Sequence, residues 1–527
     1  MLFFDEDCNA RYHACEAGTM MPADLDHIVD DLLDTDVKIL VIGTNGQNAM
    51  YPGAKAVNEF VAGFSMEKGL KQPWFGDLAG NASSYRNAAN IVVLAGMGVD
   101  SNDYLVRRAR AKGIAPWLTI RMNDQHGTWL EHTPGHSKLW SEHPELRTKS
   151  HAPQSGLSYE HPAVREMYFQ VIRENLTLYD VDGIVLDWMR HVPHFDDGEG
   201  IAHVPVMNEY MGRIRALADE FSARRGHRIR IAPRVPATVE HARRHGLDAV
   251  EWARRGYIDR IIISPKYLRS YTLDPSAWKA AVGDEKFPVT ACIDAPYQPY
   301  PGYPADGPTG AWTREPFDRR QLPFIRGACR VALWHGSDGI YLFNFMNVRN
   351  KKQMPEVFAQ CGSRETLLGK NFSIDIGYDD LDMDEGTFLK GWRAESNDAY
   401  FSVWRRELEE KGQYPYQLPR RLAPGERCRF TFVTGEVPEK SPLIAFTFEG
   451  AEQLEVTFGG GKCRYADGRY LCSPGQFDGS SAAAEVTNIS GKSVEILRAS
   501  MHFSWDGGFP ELYDPAGRIR IGVAADL

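Results

Sequence analysis

The chain has 527 residues, 43% hydrophobic and 25% charged, and a formal net charge of −10. This composition is typical of a globular protein with enough apolar residues for a large core. The acidic balance argues against a nucleic-acid partner, which needs a basic surface to displace counterions. No run approaches the roughly 20 apolar residues that cross a bilayer, so we expect no membrane segment.

The start of the chain and its cysteines bear on the cellular compartment. The first residues, MLFFDEDCNARY, carry neither a basic start nor a long apolar stretch, so they do not resemble a signal peptide. We expect a cytoplasmic location, with a secreted or periplasmic one as the alternative if a signal peptide has been removed. Eight cysteines without a CxxC pair favour free thiols in a reducing compartment. Cys463 and Cys472 flank ADGR, a hairpin-like turn, so a bond between them stays open as the alternative.

Short apolar runs that end in polar residues recur along the first part of the chain, with amphipathic helical patterns between them. Most runs are β-branched and lack strict alternation, as expected for strands buried on both faces. The eight-fold alternation of strand and helix predicts a (β/α)8 TIM barrel over residues 1–365. A doubly wound open sheet is the alternative, but no glycine-rich phosphate turn follows the first run. The runs are 2–9, 37–46, 115–124, 183–191, 229–238, 260–268, 288–295 and 339–347.

Beyond residue 365 the pattern changes. Residues 366–384 form a predicted linker, and from 385 to 527 short alternating segments are separated by turns. Strands that recur about every 8–12 residues are typical of an antiparallel β-sandwich. We therefore predict an α/β catalytic barrel followed by a C-terminal antiparallel β-sandwich that serves as an accessory domain.

Polar residues gather at the predicted carboxyl-terminal ends of the barrel strands. In TIM-barrel enzymes the catalytic groups come from these ends and from the loops after them. Strand interiors rarely carry such groups, because an unpaired buried charge is costly. Amides and cations can hydrogen-bond sugar hydroxyl groups, and aromatic rings can stack on sugar faces. The predicted substrate-binding residues are Asp5, Asn45, Arg121, Asn123, Trp188, Arg190, His191, Arg234, Lys266, Tyr297 and Asn344.

Two aspartates are the predicted catalytic residues. Cleavage of a glycosidic bond needs two carboxyl groups, one as proton donor and one as base or nucleophile. Asp187 ends the fourth run and Asp294 ends the seventh, so the two would face each other across a barrel mouth. A separation of about 5 Å would predict retention of configuration, and about 6.5–9.5 Å would predict inversion. We expect neither a metal nor an organic cofactor.

The segment YDVDGIVLDWMRH resembles the fourth strand of glycoside hydrolase-like TIM barrels, in which (Y/F)-x-(V/I)-D-G-(I/L)-x-(L/F)-D recurs. The matching residues are Tyr179, Val181, Asp182, Gly183, Ile184, Leu186 and Asp187. The nearest set is the bacterial "family 10 glycosyl hydrolase-like" proteins. The resemblance covers residues 1 to about 350, is sharpest at 179–191, and implies a catalytic role for Asp187. Many barrel glycosidases instead end the fourth strand in Asn-Glu and the seventh in Glu, so the standard retaining pair does not carry over.

The predicted function is that of a bacterial glycoside hydrolase that degrades an oligo- or polysaccharide. Acidic or modified sugars fit the cationic residues Arg121, Arg190, Arg234 and Lys266. The expected partners are a carbohydrate substrate and, as an open option, a second copy of the chain, with no nucleic acid and no membrane.

Two alternatives belong to other functional classes. A metal-dependent sugar lyase or isomerase would use Asp187, His191 and His194 as ligands of a hard cation, with Lys266 as the proton-transfer group. A non-catalytic carbohydrate-binding barrel would keep the pocket without turnover. Bound metal would favour the first, and binding without turnover would favour the second.

Overall fold

The structure is a computed structural model. It describes residues 1–78, 80–128, 130–150, 155–192, 194–265, 273–294, 315–347, 353–376, 417–418, 420–435, 442–449, 451, 453–473, 477, 482–496, 498–510, 512–513 and 519–520.

Eight strands form a closed barrel in chain order, which confirms the predicted (β/α)8 fold. The neighbouring strands from the first to the seventh pair in parallel. Ile, Val and Leu fill these strands and are buried on both faces, because helices cover the outside and side chains fill the lumen. The strands are β1 (Leu2–Glu6), β2 (Val37–Gly43), β3 (Ala115–Arg121), β4 (Gly183–Asp187), β5 (Arg230–Pro236), β6 (Ile261–Ser264), β7 (Val289–Asp294) and β8 (Gly339–Phe343).

The barrel lumen is filled by layers of side chains. The apolar layer includes Phe3, Trp117 and Tyr341, with the ring of Phe3 5.7 Å from Trp117 in an edge-on contact. Because side chains alternate along a strand, Phe3 and Asp5 both point into the lumen, and Asp5 lies nearer the carboxyl-terminal end. The lumen therefore changes from apolar to charged along its axis.

Among the described residues, α-helices lie between the barrel strands, and two more follow the last strand. They are α1 (Asp26–Asp30), α2 (Ala82–Gly96), α3 (Ser101–Ala111), α4 (Lys138–Glu142), α5 (Pro162–Leu178), α6 (Gly200–Arg225), α7 (Val239–Arg244), α8 (Ala249–Arg254), α9 (Pro275–Val282), α10 (Glu315–Trp334), α11 (Met354–Gln360) and α12 (Arg364–Leu367). Short 3-10 helices occur at Ala10–His13, Pro22–Leu25, Gly69–Lys71, Pro73–Leu78, Pro144–Leu146 and Phe345–Asn347. No helix among the described residues has the length and apolar character needed to cross a membrane.

The C-terminal part forms antiparallel sheets, as the predicted β-sandwich requires. A four-stranded sheet has the order β11-β17-β13-β14, and a five-stranded sheet has the order β15-β16-β12-β19-β9. Burial alternates along β13 and β17, so each strand has one buried and one half-exposed face. The strands are β9 (Phe372–Ile376), β10 (Arg420–Leu422), β11 (Arg427–Phe432), β12 (Leu443–Glu449), β13 (Leu454–Phe458), β14 (Gly461–Lys462), β15 (Arg464–Ala466), β16 (Arg469–Leu471), β17 (Ala482–Asn488), β18 (Val494–Ile496), β19 (Arg498–Ser504), β20 (Leu512–Tyr513) and β21 (Ile519–Arg520).

The chain divides into two compact units. The first comprises residues 1–264, 276–292 and 341–347, and the second comprises 265–275, 293–340 and 348–527. In the second unit α10 contacts β9, and a buried ion pair joins Arg498 to Asp375. The domain boundaries at 365 and 385 stay a prediction.

Candidate active site

Asp5 of β1 places a carboxyl group in the barrel lumen. It is fully buried, and the hydroxyl group of Tyr341 on β8 donates a hydrogen bond to its Oδ2. Burial raises the pKa of Asp5 to about 8; the carboxylates of Asp187 and Asp7 add to the rise, while the hydrogen bond from Tyr341 opposes it. Asp5 is therefore protonated at neutral pH and can act as a proton donor.

Asp187, at the end of β4, lies directly opposite Arg234 of β5 in the register of the parallel pair. Nη1 of Arg234 is 3.0 Å from Oδ1 and 3.1 Å from Oδ2 of Asp187, and the amide of Met189 donates to Oδ1 at 2.9 Å. Both side chains are buried. Nε of Arg234 bonds Ser264, and the guanidinium lies 3.7 Å from the ring centre of Phe343. These contacts hold the carboxyl group of Asp187 in one position against the guanidinium of Arg234.

Asp7, Arg121 and Asp124 form a second group of charged side chains, the outer layer, at the carboxyl-terminal ends of β1 and β3. Nη2 of Arg121 is 2.8 Å from Asp7, and Nη1 is 2.7 Å from Asp124. The opposing charge of Arg121 holds the pKa of Asp7 below its usual value although burial alone would raise it, and Arg190 acts in the same direction. The pKa of Asp124 also lies well below its usual value, because His126, Arg121 and His191 outweigh the effect of burial. Arg121 is thus already engaged by two carboxylates of the protein.

The outer layer ends in a chain of contacts through His126. Its Nδ1 is 2.8 Å from Oδ1 of Asp124, and its Nε2 is 2.8 Å from Nη2 of Arg190. Because a guanidinium can only donate, Nε2 accepts, so in the neutral ring Nδ1 carries the proton and donates to Asp124. Partial desolvation of the ring by the surrounding protein and the nearby Arg190 lower the pKa of His126 against the opposing effect of Asp124, which agrees with a neutral ring. The side chain of His126 is 48% exposed, so this chain of contacts reaches the surface.

Among the described residues, two groups have ligand atoms close enough to hold a metal ion. One comprises Asp124, His126 and His191; the other comprises Glu160, Glu199 and His203. The first fits a cation poorly, because both ring nitrogens of His126 already form hydrogen bonds and two guanidinium groups lie within the same layer. The carboxylates of the second are exposed, which is common without a bound ion.

Two of the three predicted asparagines, Asn45 and Asn123, lie beside β3. The amide group of Asn45 bonds the backbone of Arg121 in both directions, from Nδ2 to the carbonyl at 3.1 Å and from the peptide N–H to Oδ1 at 3.2 Å. This pairing extends the β2–β3 contact beyond the last strand residues. Asn123 is buried, and its Nδ2 is 3.5 Å from the carbonyl of Leu157. Their roles in substrate binding stay predictions.

Trp188 and His194, which follow β4 in the chain, pack among buried aromatic side chains. The indole is fully buried, with its ring centre 5.1 Å from those of Tyr159 and His194 and 6.5 Å from that of Trp252. Nε2 of His194 donates to the carbonyl of Trp188 at 3.0 Å, and burial lowers the pKa of this imidazole to about 3. The contacts of Trp188 are therefore with core side chains, while a role in sugar binding stays a prediction.

The remaining predicted residues are Asp294, Asn344, Lys266 and Tyr297. Asp294 is the last residue of β7 and is buried, and Asn344 follows β8 with a positive φ of 62°. A left-handed conformation outside glycine is uncommon and is tolerated best by Asn and Asp. Lys266 and Tyr297 lie outside the described residues.

Tyr341 and His126 were not among the residues predicted from the sequence. Tyr341 lies in a strand that reads as a continuous apolar run, so only its two-residue spacing from Phe343 could have assigned both side chains to the same face. His126 follows Asp124 by two residues, which is the geometry of a local side-chain hydrogen bond, and this spacing is the signal that could have identified it.

No protein-family model matches the chain, and no curated protein matches it in sequence. The solved structures similar to this chain include several glycoside hydrolases. The glycoside hydrolase domain of PgaB from Bordetella bronchiseptica has a TM-score of 0.38 at 10% identity, covering 68% of this chain and 98% of its own. A maltogenic α-amylase, AmyB from Thermotoga neapolitana, has a TM-score of 0.35 at 10% identity, covering 96% and 98%. A pullulanase complexed with maltotriose, from Anoxybacillus sp. LM18-11, has a TM-score of 0.34 at 13% identity, covering 92% and 69%. The function has to be argued from the site itself.

Proposed function

We propose that this protein is a glycoside hydrolase that cleaves an oligo- or polysaccharide at the carboxyl-terminal face of its barrel. The observation that carries the proposal is the contrast between two buried carboxyl groups. Asp5 is kept neutral by burial, whereas Asp187 forms a buried ion pair with Arg234. Pairs of carboxyl groups whose environments separate their protonation states are how glycosidases divide the acid and base roles.

In this proposal Asp5 donates a proton to the leaving-group oxygen, and Asp187 supplies the carboxylate. The hydroxyl group of Tyr341 orients the carboxyl group of Asp5, and the Arg234 contact fixes that of Asp187. Asp294 is the alternative proton donor to be tested, because it is the last residue of β7.

The sugar-binding part of the proposal rests on the outer layer, which reaches the surface through His126 and Arg190. Arg121 and Arg234 each neutralise carboxylates of the protein itself, so they contribute less to the binding of an acidic sugar. Within this proposal a preference for acidic sugars is assigned to Arg190, because its side chain is half-exposed and can reach a ligand.

The test is a screen of aryl glycosides and of neutral and acidic oligosaccharides, with NMR detection of the released anomer. On any substrate that is turned over, Asp187→Asn and Asp5→Asn are expected to lower kcat at least about 100-fold. Asp294→Asn decides whether the third carboxyl group is needed. Asp103→Asn, on the exposed side of α3 where Asp103 pairs with Arg107, is the matched control and should keep full activity.

Binding without turnover would leave the non-catalytic carbohydrate-binding barrel as the better description. Full activity in both Asp5→Asn and Asp187→Asn would contradict the assigned roles even if the protein is a hydrolase.

A further inference from the structure

A pair of cysteines lies at the base of a hairpin in the C-terminal sheets. The Sγ atoms of Cys463 and Cys472 are 3.6 Å apart, and both residues are free cysteines in this structure. Both cysteines belong to the second compact unit, whereas Asp5 and Asp187 belong to the first, and the proposed cleavage does not use a thiol group.

The hairpin fixes the register that brings the two cysteines together. Strands β15 and β16 pair Arg464 with Leu471, so the next pair outward is Cys463 with Cys472. The two-residue turn consists of Asp467 and Gly468, both with positive φ, which is the conformation that a tight hairpin turn requires. A register set by such a turn does not slip easily, so the cysteines are held opposite each other.

The backbone hydrogen bonds also identify Cys463 and Cys472 as a non-hydrogen-bonded cross-strand pair, whose spacing suits a disulfide. The amide of Cys463 donates to the carbonyl of Val456, and the amide of Cys472 donates to that of Ile444, so neither amide bonds across the hairpin. Opposite residues of a non-hydrogen-bonded pair have Cα atoms about 4.5 Å apart. Disulfide-bonded cysteines have Cα separations of about 4.4–6.8 Å, so this position accepts the bond without moving the strands.

We propose that Cys463 and Cys472 form an intramolecular disulfide when the protein meets a disulfide oxidant such as glutathione disulfide. Through its backbone Cys463 is bonded to β13 of the four-stranded sheet, and Cys472 to β12 of the five-stranded sheet. The disulfide therefore closes the hairpin at the place where the chain passes from the four-stranded sheet to the five-stranded sheet.

The reaction proceeds by two thiol–disulfide exchanges. The thiolate of Cys472 attacks one sulfur of glutathione disulfide, which forms a mixed disulfide and releases one glutathione thiolate. The thiolate of Cys463 then attacks the sulfur of Cys472 and releases the second. The protein loses two electrons and two protons, and glutathione disulfide is reduced to two molecules of glutathione. Cys472 is half-exposed and Cys463 is buried, so the first exchange takes place where the hairpin base opens to solvent.

Peptide mapping of the full chain tests the proposal directly. The protein is equilibrated with glutathione disulfide, alkylated under native and then denaturing conditions, and digested with trypsin. Cleavage after Lys462, Arg464 and Arg469 separates the two cysteines into peptides 463–464 and 470–492. We expect these peptides to appear as one cross-linked species, lighter by two hydrogen atoms than their sum, and to separate after reduction.

Cys428 of β11 is the internal control, because it is half-exposed and is not paired with another described cysteine. It is expected to be alkylated or to carry a single glutathione. Recovery of 463–464 and 470–492 as separate alkylated peptides, or with one glutathione on each, would overturn the proposal.

Substitution gives a second measurement. The oxidised wild type should melt a few degrees above the reduced protein, and Cys463→Ser and Cys472→Ser should each abolish this difference. Cys428→Ser should leave it unchanged. If a serine variant fails to fold, the peptide map of the wild type still decides, because it needs no substitution.

Discussion

Asp187 and Arg234 form a buried ion pair between neighbouring strands, and the same pair fixes the carboxylate proposed for catalysis. The two residues stand opposite each other in the β4–β5 register, with Nη1 of Arg234 within 3.1 Å of both carboxylate oxygens. Desolvation of two charges is costly, so such a pair is more useful for geometry than for stability. Its role here is to hold an anion at one position in the lumen.

Removal of the arginine leaves that anion without its partner. Arg234→Met is expected to lower the free energy of unfolding by about 3–5 kcal/mol, because Asp187 stays buried as an uncompensated charge. Urea denaturation at neutral pH measures the change. The double variant Asp187→Asn/Arg234→Met should recover much of the loss, and Arg230→Met, at the exposed start of the same strand, should change stability little. A loss below about 1 kcal/mol in Arg234→Met would show that the pair is not needed to hold Asp187.

The first residue of β4 is Gly183, and the neighbouring indole ring of Trp117 explains why a small residue is needed there. A Cβ atom at this position would lie 2.5 Å from Cε2 of Trp117 on the neighbouring strand, closer than any ordinary contact. Gly183→Ala is therefore expected to destabilise the protein by about 1–3 kcal/mol, since the indole must move within a filled lumen. Thermal or urea unfolding measures this change.

Two variants provide the comparison for Gly183. Gly96→Ala, at the end of α2, meets no atom within 4 Å and should be neutral or slightly stabilising. Trp117→Leu combined with Gly183→Ala should cost less than the sum of the two single changes, because the indole that collides is gone. Strict additivity would contradict the proposed collision.

The barrel was predictable because each strand carries its signal locally. Apolar, β-branched runs that end in polar residues identify β1 to β8, and Asp187 and Arg234 could be assigned to the strand ends from position alone. Gly183 belongs to the segment that resembles glycoside hydrolase-like barrels, and the structure gives that glycine a packing reason.

The contacts that define the site were less accessible to sequence reasoning. The Tyr341–Asp5 hydrogen bond joins residues 336 positions apart across the closure of the barrel, and no local pattern encodes it. The neutral state of Asp5 depends on complete burial, which the sequence does not give. Arg121 was predicted to bind substrate, but its partners Asp7 and Asp124 show that it also neutralises the protein's own carboxylates.

His194 makes the protein sensitive to mild acid. Burial lowers the pKa of His194 to about 3, below the 6.5 of an exposed imidazole, so the folded state binds fewer protons than the unfolded state between these values. Stability therefore falls as the pH drops from about 6.5 towards 3. His194→Gln, whose amide can replace the donor to the carbonyl of Trp188, should flatten this part of the stability profile. An unchanged slope between pH 6 and about 4 would argue that His194 is not buried in the neutral form.

Asp5 should produce the opposite dependence between pH 3.8 and about 8. Its folded pKa of about 8 exceeds the unfolded value of 3.8, so the folded state binds more protons and loses stability as the pH rises through this interval. Asp5→Asn removes this titration and should raise stability relative to the wild type above about pH 8, by the order of a few kcal/mol. Asp7→Asn is the matched control, because the lowered pKa of Asp7 stabilises the fold above the unfolded value and is lost in acid. If both variants respond alike to pH, the neutral state of Asp5 is wrong.

The same protonation sets an expected upper limit to activity. A general acid must carry its proton, so kcat/KM on a substrate that needs protonation of its leaving group should fall as the pH rises through about 8. Tyr341→Phe removes the hydrogen bond that favours the ionised form, and should therefore shift this alkaline limb to higher pH while leaving the acid limb in place. Aryl glycosides whose leaving groups need little protonation should lose the alkaline limb in the wild type. An alkaline limb that stays in place for Tyr341→Phe would assign the proton donor to a carboxyl group other than Asp5, with Asp294 the first to examine.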